Sequence, residues 1–465
     1  MKKLAILIVI LLCTGFTSCV AFRYDTENII TPPKLTAQQN EIYEALTSTL
    51  ELPFNLRYPK NGDFRSAFVI NNLDSSKNGQ AMVFYELKGV SQGEKAVLRI
   101  NILDNSEGAW VSVDDIEGEG TDVDKILFID TDAKYSISGE ISHRKRFIVI
   151  GFYANNVTGI DEKLFKVYEY KNKKFQETYS NTYDILEKCR LHSNDEDELL
   201  YISSLTSESA RSGEPIHPVS PENLNRGITT ANLLRFDGKK LSLSDSVDMF
   251  DKVSGYYNIS GGLIDNLRPA LFLDGLVGVK TYVTEILTVS DGKLENVIYN
   301  KNINLINETE RFKVINSMEI NSDSSVMIPR LYPFPGYDRD DPDAVFYTYW
   351  TEYKNDRIEE IFKSYVDIKE GYIFIFPNGW TDNITAGYIE ENSEVRFFEL
   401  NEDLTKGKLL LSIRKINPDE TDGLSNGYFR LNNAKNQYLA AKIETASADI
   451  SVTEKEVRSL FKLIK

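Results

Sequence analysis

The sequence predicts a mainly β protein: a β-propeller of about six or seven blades followed by a small α+β C-terminal domain. Three observations point there. The 465 residues include 25 Tyr and 24 Phe, aromatic residues that favour pleated strands over helices. A unit of strand, polar loop and strand recurs at 67–85 (AFVINNLDSSKNGQAMVFY), 109–129 (AWVSVDDIEGEGTDVDKILFI) and 270–287 (ALFLDGLVGVKTYVTEIL). Hairpin signals recur at 168–175 (YEYKNKKF), 234–241 (LRFDGKKL), 287–294 (LTVSDGKL) and 352–361 (EYKNDRIEEI). In two of these, Asp237-Gly238 and Asp291-Gly292, glycine accepts the positive φ that a tight turn needs. Spacings of roughly 40–65 residues fit four-stranded blades, with the 67, 109 and 270 units as blade openings.

Residues 1–18 read as a secretory leader. Lys2 and Lys3 form its positive end and 4–12 its apolar core, which is too short for a spanning helix. Phe16-Thr17-Ser18-Cys19 resembles the bacterial lipoprotein box, with Phe16 where Leu is usual. The resemblance implies that Cys19 is lipidated and becomes the N-terminus. The acyl chains would supply the two or more anchors that stable membrane attachment requires. The expected location is the outer face of a bacterial cytoplasmic membrane, with the body extracytoplasmic.

Residues 19–35 are a polar tether. Residues 36–50 form a helix: Thr36 and Gln39 make a capping box, and Ile42, Leu46 and Leu50 share one face. This helix is expected to pack on the first strands. The propeller runs to 377, interrupted by two polar stretches at 203–232 and 329–343, read as inserted loops with binding as the alternative. Residues 378–465 form the α+β domain. Its strands are expected at 387–400, 408–416, 427–431 and 438–443, and its helix at 453–464 is capped by Thr453 and Glu456.

The formal charge of −17 repels phosphate backbones, so no nucleic-acid partner is expected. Cys189 is the one cysteine outside the N-terminal segment, which rules out an intrachain disulfide framework for the body. It reads as a packed small residue rather than a thiol activated by His192. His143, His192 and His217 fall in no metal spacing, and no nucleophile elbow or phosphate loop occurs. In the run Phe346-Tyr347-Thr348-Tyr349-Trp350, alternate residues should enter the core and the others could stack on a sugar or peptide. Tyr337–Asp343 is the densest acidic loop.

DIEGEG at 115–120, followed by Asp122 and Asp124, resembles the calcium loop of FG-GAP and VCBS-type propeller repeats. The resemblance implies a calcium site built from Asp115, Glu117, Glu119 and Asp124, in which alternate carboxylates converge on one hard cation. Glutamate stands at two positions where those repeats carry Asp, and the run before the strand is about two residues longer. A solvated acidic turn is the other reading. A weaker copy has Asn72, Asp74, Ser76 and Gln80; a third keeps Asp274 and Glu285. Tyr58-Pro59 and Arg65-Ser66-Ala67-Phe68-Val69 also resemble the first propeller unit of Gram-positive lipoproteins of undefined function, a likeness that brings no catalytic residues.

The expectation is a lipid-anchored, non-enzymatic binding or scaffold protein, contacting the membrane through its lipid and an envelope protein, peptide or glycan through its loops. Two alternatives stand beside it: an extracytoplasmic hydrolase of cell-wall or nutrient glycans, and a structural envelope protein.

Overall fold

The computed structural model describes residues 35–74, 79–88, 98–106, 108–135, 141–155, 161–192, 196–204, 229–302, 305–306, 308–380, 382–416, 427–432, 438–444 and 450–464. The leader, Cys19, Ser76 and His217 lie outside the described residues. No described helix is long and apolar enough to cross a membrane.

The protein is mainly β. Among the described residues, six antiparallel sheets of four or more strands follow one another along the chain, at 54–117, 122–182, 185–248, 253–296, 318–375 and 384–443, with a two-stranded pair at 299–306 between the fourth and fifth. The second, third and fourth are four-stranded meanders in strict chain order. Their tight turns use the expected residues. Asn172-Lys173, Asp291-Gly292 and Asn355-Asp356 all have positive φ and close two-residue hairpins. Asp237-Gly238 instead opens a four-residue loop, in which Asp237 Oδ1 accepts the amides of Lys239 (2.9 Å) and Lys240 (3.0 Å).

Successive sheets pack face to face, so inner strands are buried on both sides and read as continuous apolar runs. In Gln80–Leu87, Met82 and Phe84 meet the second sheet, while Ala81, Val83 and Tyr85 face away from it. Ile148, Ile150 and Phe152 pack on the first sheet; Phe147 and Val149 pack on the third. Leu200 and Ile202 join Leu271 and Leu273, and Phe272 joins Val326 and Ile328, which continues the stack through the fifth sheet.

Helix α1 (Ala37–Thr49) starts as expected. Thr36 Oγ1 accepts the Gln39 amide at 3.2 Å, and Gln39 Oε1 accepts the Thr36 amide at 3.0 Å. It lays Ile42 and Leu46 on Ala81, Val83 and Tyr85, covering the outer face of the first sheet. Each of these side chains contributes about 1.5–3 kcal/mol by leaving water. Among the described residues, that face meets the helix and not the sixth sheet. The expected propeller ring is therefore not closed.

Two other expectations are corrected. The 109–129 stretch is not one blade opening: Ala109–Glu117 ends the first sheet and Asp122–Tyr135 begins the second. Gly120 (φ +59°) makes the crossing, where a Cβ would lie 1.9 Å from the Tyr153 carbonyl oxygen. The 67–85 and 270–287 units occupy other places in their sheets. Apolar runs recur because doubly buried strands recur, and they do not mark a strand's position.

A separate C-terminal α+β domain is not seen either. Helix α2 (Glu454–Leu460) is short, and Phe461–Leu463 continues as a strand paired with Tyr372–Ile375 of the fifth sheet. One core joins Phe334, Tyr365 and Phe374 of the fifth-sheet region to Trp380, Phe397 and Leu411 of the sixth.

Candidate functional site

The four carboxylates of the acidic stretch do not meet. Asp115 and Glu117 lie in a strand, where alternate residues share a face, so both reach Arg99 on the neighbouring strand. Asp115 also accepts the Tyr85 hydroxyl at 2.5 Å and the Asn101 amide at 2.9 Å. Glu119 pairs with Lys166 at 2.6 Å. Asp124 is fully buried and accepts Tyr183 Oη at 2.6 Å, Asn61 Nδ2 at 2.6 Å and Lys163 Nζ at 3.2 Å. Burial works against the Asp124 charge, but these donors outweigh it and hold its carboxyl below the usual range. This arrangement does not fit a calcium shell, because the acids are spent on three separate protein cations: Arg99 takes Asp115 and Glu117, Lys166 takes Glu119 and Lys163 takes Asp124. No cluster of three or more ligating side chains occurs among the described residues.

The other singled-out acids are internal ties as well. Asp74 receives Gln80 Nε2 at 3.2 Å. Asp274 and Arg311 are both fully buried and meet at 2.8 Å, with Ser317, Thr284 and Asn258 supplying further donors to the carboxylate. Glu285, also fully buried, accepts the Phe250 amide (2.8 Å), Asn296 Nδ2 (2.7 Å) and the Tyr256 hydroxyl. Burial outweighs those bonds and pushes its carboxyl up to about 7. Cys189 is buried, and burial together with the Glu198 charge pushes its thiol up. His192 cannot serve it as a free base, since its Nδ1 sits 2.5 Å from Glu198 Oε1.

A site with room for a ligand lies elsewhere, between the fifth and sixth sheets, in a cleft of about 710 Å³. That volume is in the range of small-molecule sites. One wall is the loop after Val326–Pro333, the second half of the polar stretch flagged in the sequence. Phe334 and Val345 close this loop with a 2.9 Å amide–carbonyl bond. Tyr337 Oη donates to the Ala386 carbonyl (2.9 Å) and Thr385 Oγ1 to the Pro335 carbonyl (2.7 Å), fixing the loop to the sixth sheet. Gly336 (φ +92°) is required there, because a Cβ would lie 2.7 Å from the Leu404 carbonyl oxygen. Asp338 and Asp340 face solvent, and Asp343 reaches the rim.

The aromatic run divides. Trp350 is buried and donates to Ser364 Oγ at 2.8 Å. Tyr347 and Tyr349 cluster with Tyr332 under the Lys363 ammonium. Phe346 lines the cleft with Lys313 4.0 Å above its ring. Across the cleft, Lys406 lies over Tyr337 (5.3 Å) and Phe398 (5.7 Å), and Arg396 is held by Glu394 at 2.8 Å.

Asp367, at the end of the strand Arg357–Asp367, also lines the cleft. It is 6 % exposed; Oδ1 accepts the Glu370 amide at 3.0 Å, while Oδ2 is buried with no hydrogen-bond partner. Tyr372 stands opposite Asp367 in the strand register, and its buried hydroxyl also has no partner. Burial raises the Asp367 carboxyl above the usual carboxylate range. Sequence reasoning missed this residue: a single Asp ending an apolar strand looks like any turn acid.

A mainly β stack of sheets with a roomy cleft between its last two members is the class that fold and site define. No protein-family model matches the chain, and no curated protein matches it. Among solved structures, it is similar to the exotype rhamnogalacturonan lyase YesX at TM-score 0.27 and 9% identity, over 76% of this chain and 73% of that one. Rhamnogalacturonan lyase YesW gives TM-score 0.27 and 9% identity over 76% and 69%. Bacillus licheniformis rhamnogalacturonan lyase PL11 gives TM-score 0.26 and 8% identity over 86% and 93%.

Proposed function

We propose that this protein is a lipid-anchored extracytoplasmic binding protein whose cleft between the fifth and sixth sheets takes a small polar organic ligand, such as a segment of peptide or glycan. The cleft carries the reading. It has ligand-sized volume and mixes ring faces (Tyr337, Phe346, Tyr388, Phe398) with charged groups from several separate segments. The run of sheets is read as a degenerate propeller whose loops present this surface. Anchoring rests on the Thr17-Ser18-Cys19 box after a short apolar core. Cys19→Ser is expected to release the mature chain or leave an uncleaved precursor; unchanged processing with a normal acyl mass would refute the anchor.

Ligand-observed NMR with a library of oligosaccharides, short peptides and amine fragments tests the cleft. Saturation transfer should appear in the wild type and collapse in Phe398→Ala and Tyr388→Ala. Ligands that bind equally well to both variants would refute the cleft as the site.

A hydrolase acting on cell-wall or nutrient glycans is the second reading. Asp367 favours it, because a carboxyl kept above the usual range is what a general acid needs. Asp343 and Glu390 line the same cleft. New reducing ends from purified wall glycan, lost in Asp367→Asn, would establish it; none after prolonged incubation would reject it.

A further inference from the structure

We propose that the Asp367 end of the cleft is an ammonium site, seating the protonated amine of an organic ligand. The inference rests on the cleft being a binding site and names the chemical class it selects.

The ordered part of the site is incomplete in a specific way. Asp367 Oδ2 is buried without a donor, and the Tyr372 hydroxyl opposite it is buried without a partner. The Tyr365 hydroxyl lies within hydrogen-bonding reach of the Asp367 carboxyl and feels its charge, but its geometry still leaves Oδ2 unpaired. Native structures rarely leave such atoms unpaired unless something else fills the place. An ammonium brings several donors: one for Oδ2, and others for oxygens such as the Tyr372 hydroxyl.

Charge separates this from a neutral ligand. The nearby acid Glu370 is already neutralised by Lys415 at 3.0 Å. Lys369 is exposed on the adjoining turn; its amide and its charge favour the Asp367 carboxylate but do not outweigh burial. The cleft's own cations are turned elsewhere: Arg396 to Glu394, Lys406 to Tyr337 and Phe398, and Lys313 to Phe346. Glu390, from the sixth-sheet side, adds a second acid to the cleft lining. A sugar hydroxyl could satisfy Oδ2 but would leave the negative charge in place. A cation relieves it, and the electron-rich face of a nearby ring such as Tyr388 attracts it further.

The test compares benzylamine with benzyl alcohol at neutral pH, by ligand-observed NMR and calorimetry on the mature chain. The two probes share ring and size and differ in charge. Benzylamine is expected to bind about tenfold more tightly. Asp367→Asn, an isosteric change, should bring the two to equal affinity, and Tyr372→Phe should weaken benzylamine while leaving benzyl alcohol unchanged. The second variant keeps the test decisive if the first fails to fold. Equal binding by the wild type, an amine preference surviving in both variants, or no binding of either probe overturns the ammonium site. If a neutral oligosaccharide binds and is lost in Phe398→Ala while benzylamine shows no preference, the ammonium site falls and the binding cleft stands.

Discussion

Replacing Glu285 with Gln should change how stability depends on pH. The Glu285 carboxyl is fully buried and its pKa is raised from 4.5 to about 7 in the folded chain, with burial the largest cause. A carboxyl raised on folding binds more protons in the native than in the unfolded state between those two values. Stability from this group is therefore full below about pH 4.5, falls as pH rises towards 7, and is level above it. At roughly 1.4 kcal/mol per pKa unit, the loss is about 3 kcal/mol. Gln keeps the shape, and its carbonyl can still accept from the Phe250 amide and Asn296. Its amide can donate to the Tyr256 hydroxyl, which reverses that bond's direction without breaking it. The variant should match the wild type at acid pH and exceed it by up to about 3 kcal/mol at alkaline pH. Urea melts at matched pH values, read as the difference of differences, give the number. An identical pH slope in both proteins would refute the reasoning.

The buried Asp274–Arg311 pair supplies a second test: Arg311→Met leaves an uncompensated buried carboxylate and should cost about 3–5 kcal/mol, largely recovered by adding Asp274→Asn. A loss under about 1 kcal/mol in the single variant would show that the pair is not the linchpin of that network. Calcium and chelator should give the same melting temperature, because Arg99, Lys166 and Lys163 already occupy the acids of 115–124. A calcium-dependent rise abolished by Asp115→Ala would overturn that account. Gly336→Ala forces a side chain against the Leu404 carbonyl at positive φ and should both lower the melting temperature and abolish ligand saturation transfer at the cleft; a variant unchanged in both would refute the loop's role as a wall.

Much of the local structure was readable from residues whose chemistry acts within a few positions. The Thr36–Gln39 and Thr453–Glu456 capping boxes form as expected. The hairpins form where Asn or Asp can take positive φ. What failed depended on distant partners. Leu460-Phe461-Lys462-Leu463-Ile464 carries apolar residues that suit either a helix face or a strand. Pairing with Tyr372–Ile375, far back in the chain, decides for strand from Phe461. Alternating Asp115 and Glu117 look like a metal loop, yet period two is also the period of a strand, and Arg99 lies on the neighbouring one. The cleft was half legible, since the polar stretch before Asp343 became its wall. Asp367 was not, because its distinction lies in an oxygen without a partner rather than in any local pattern.

The strand Phe461–Leu463 is more than a tail. It sits beside Tyr372–Ile375 and covers what would otherwise be the open border of the fifth sheet. An uncovered border of apolar strand is a template for another chain, so losing the 461–463 pairing would do more than remove three residues of strand. It would replace a three-residue edge with the longer apolar edge of Tyr372–Ile375.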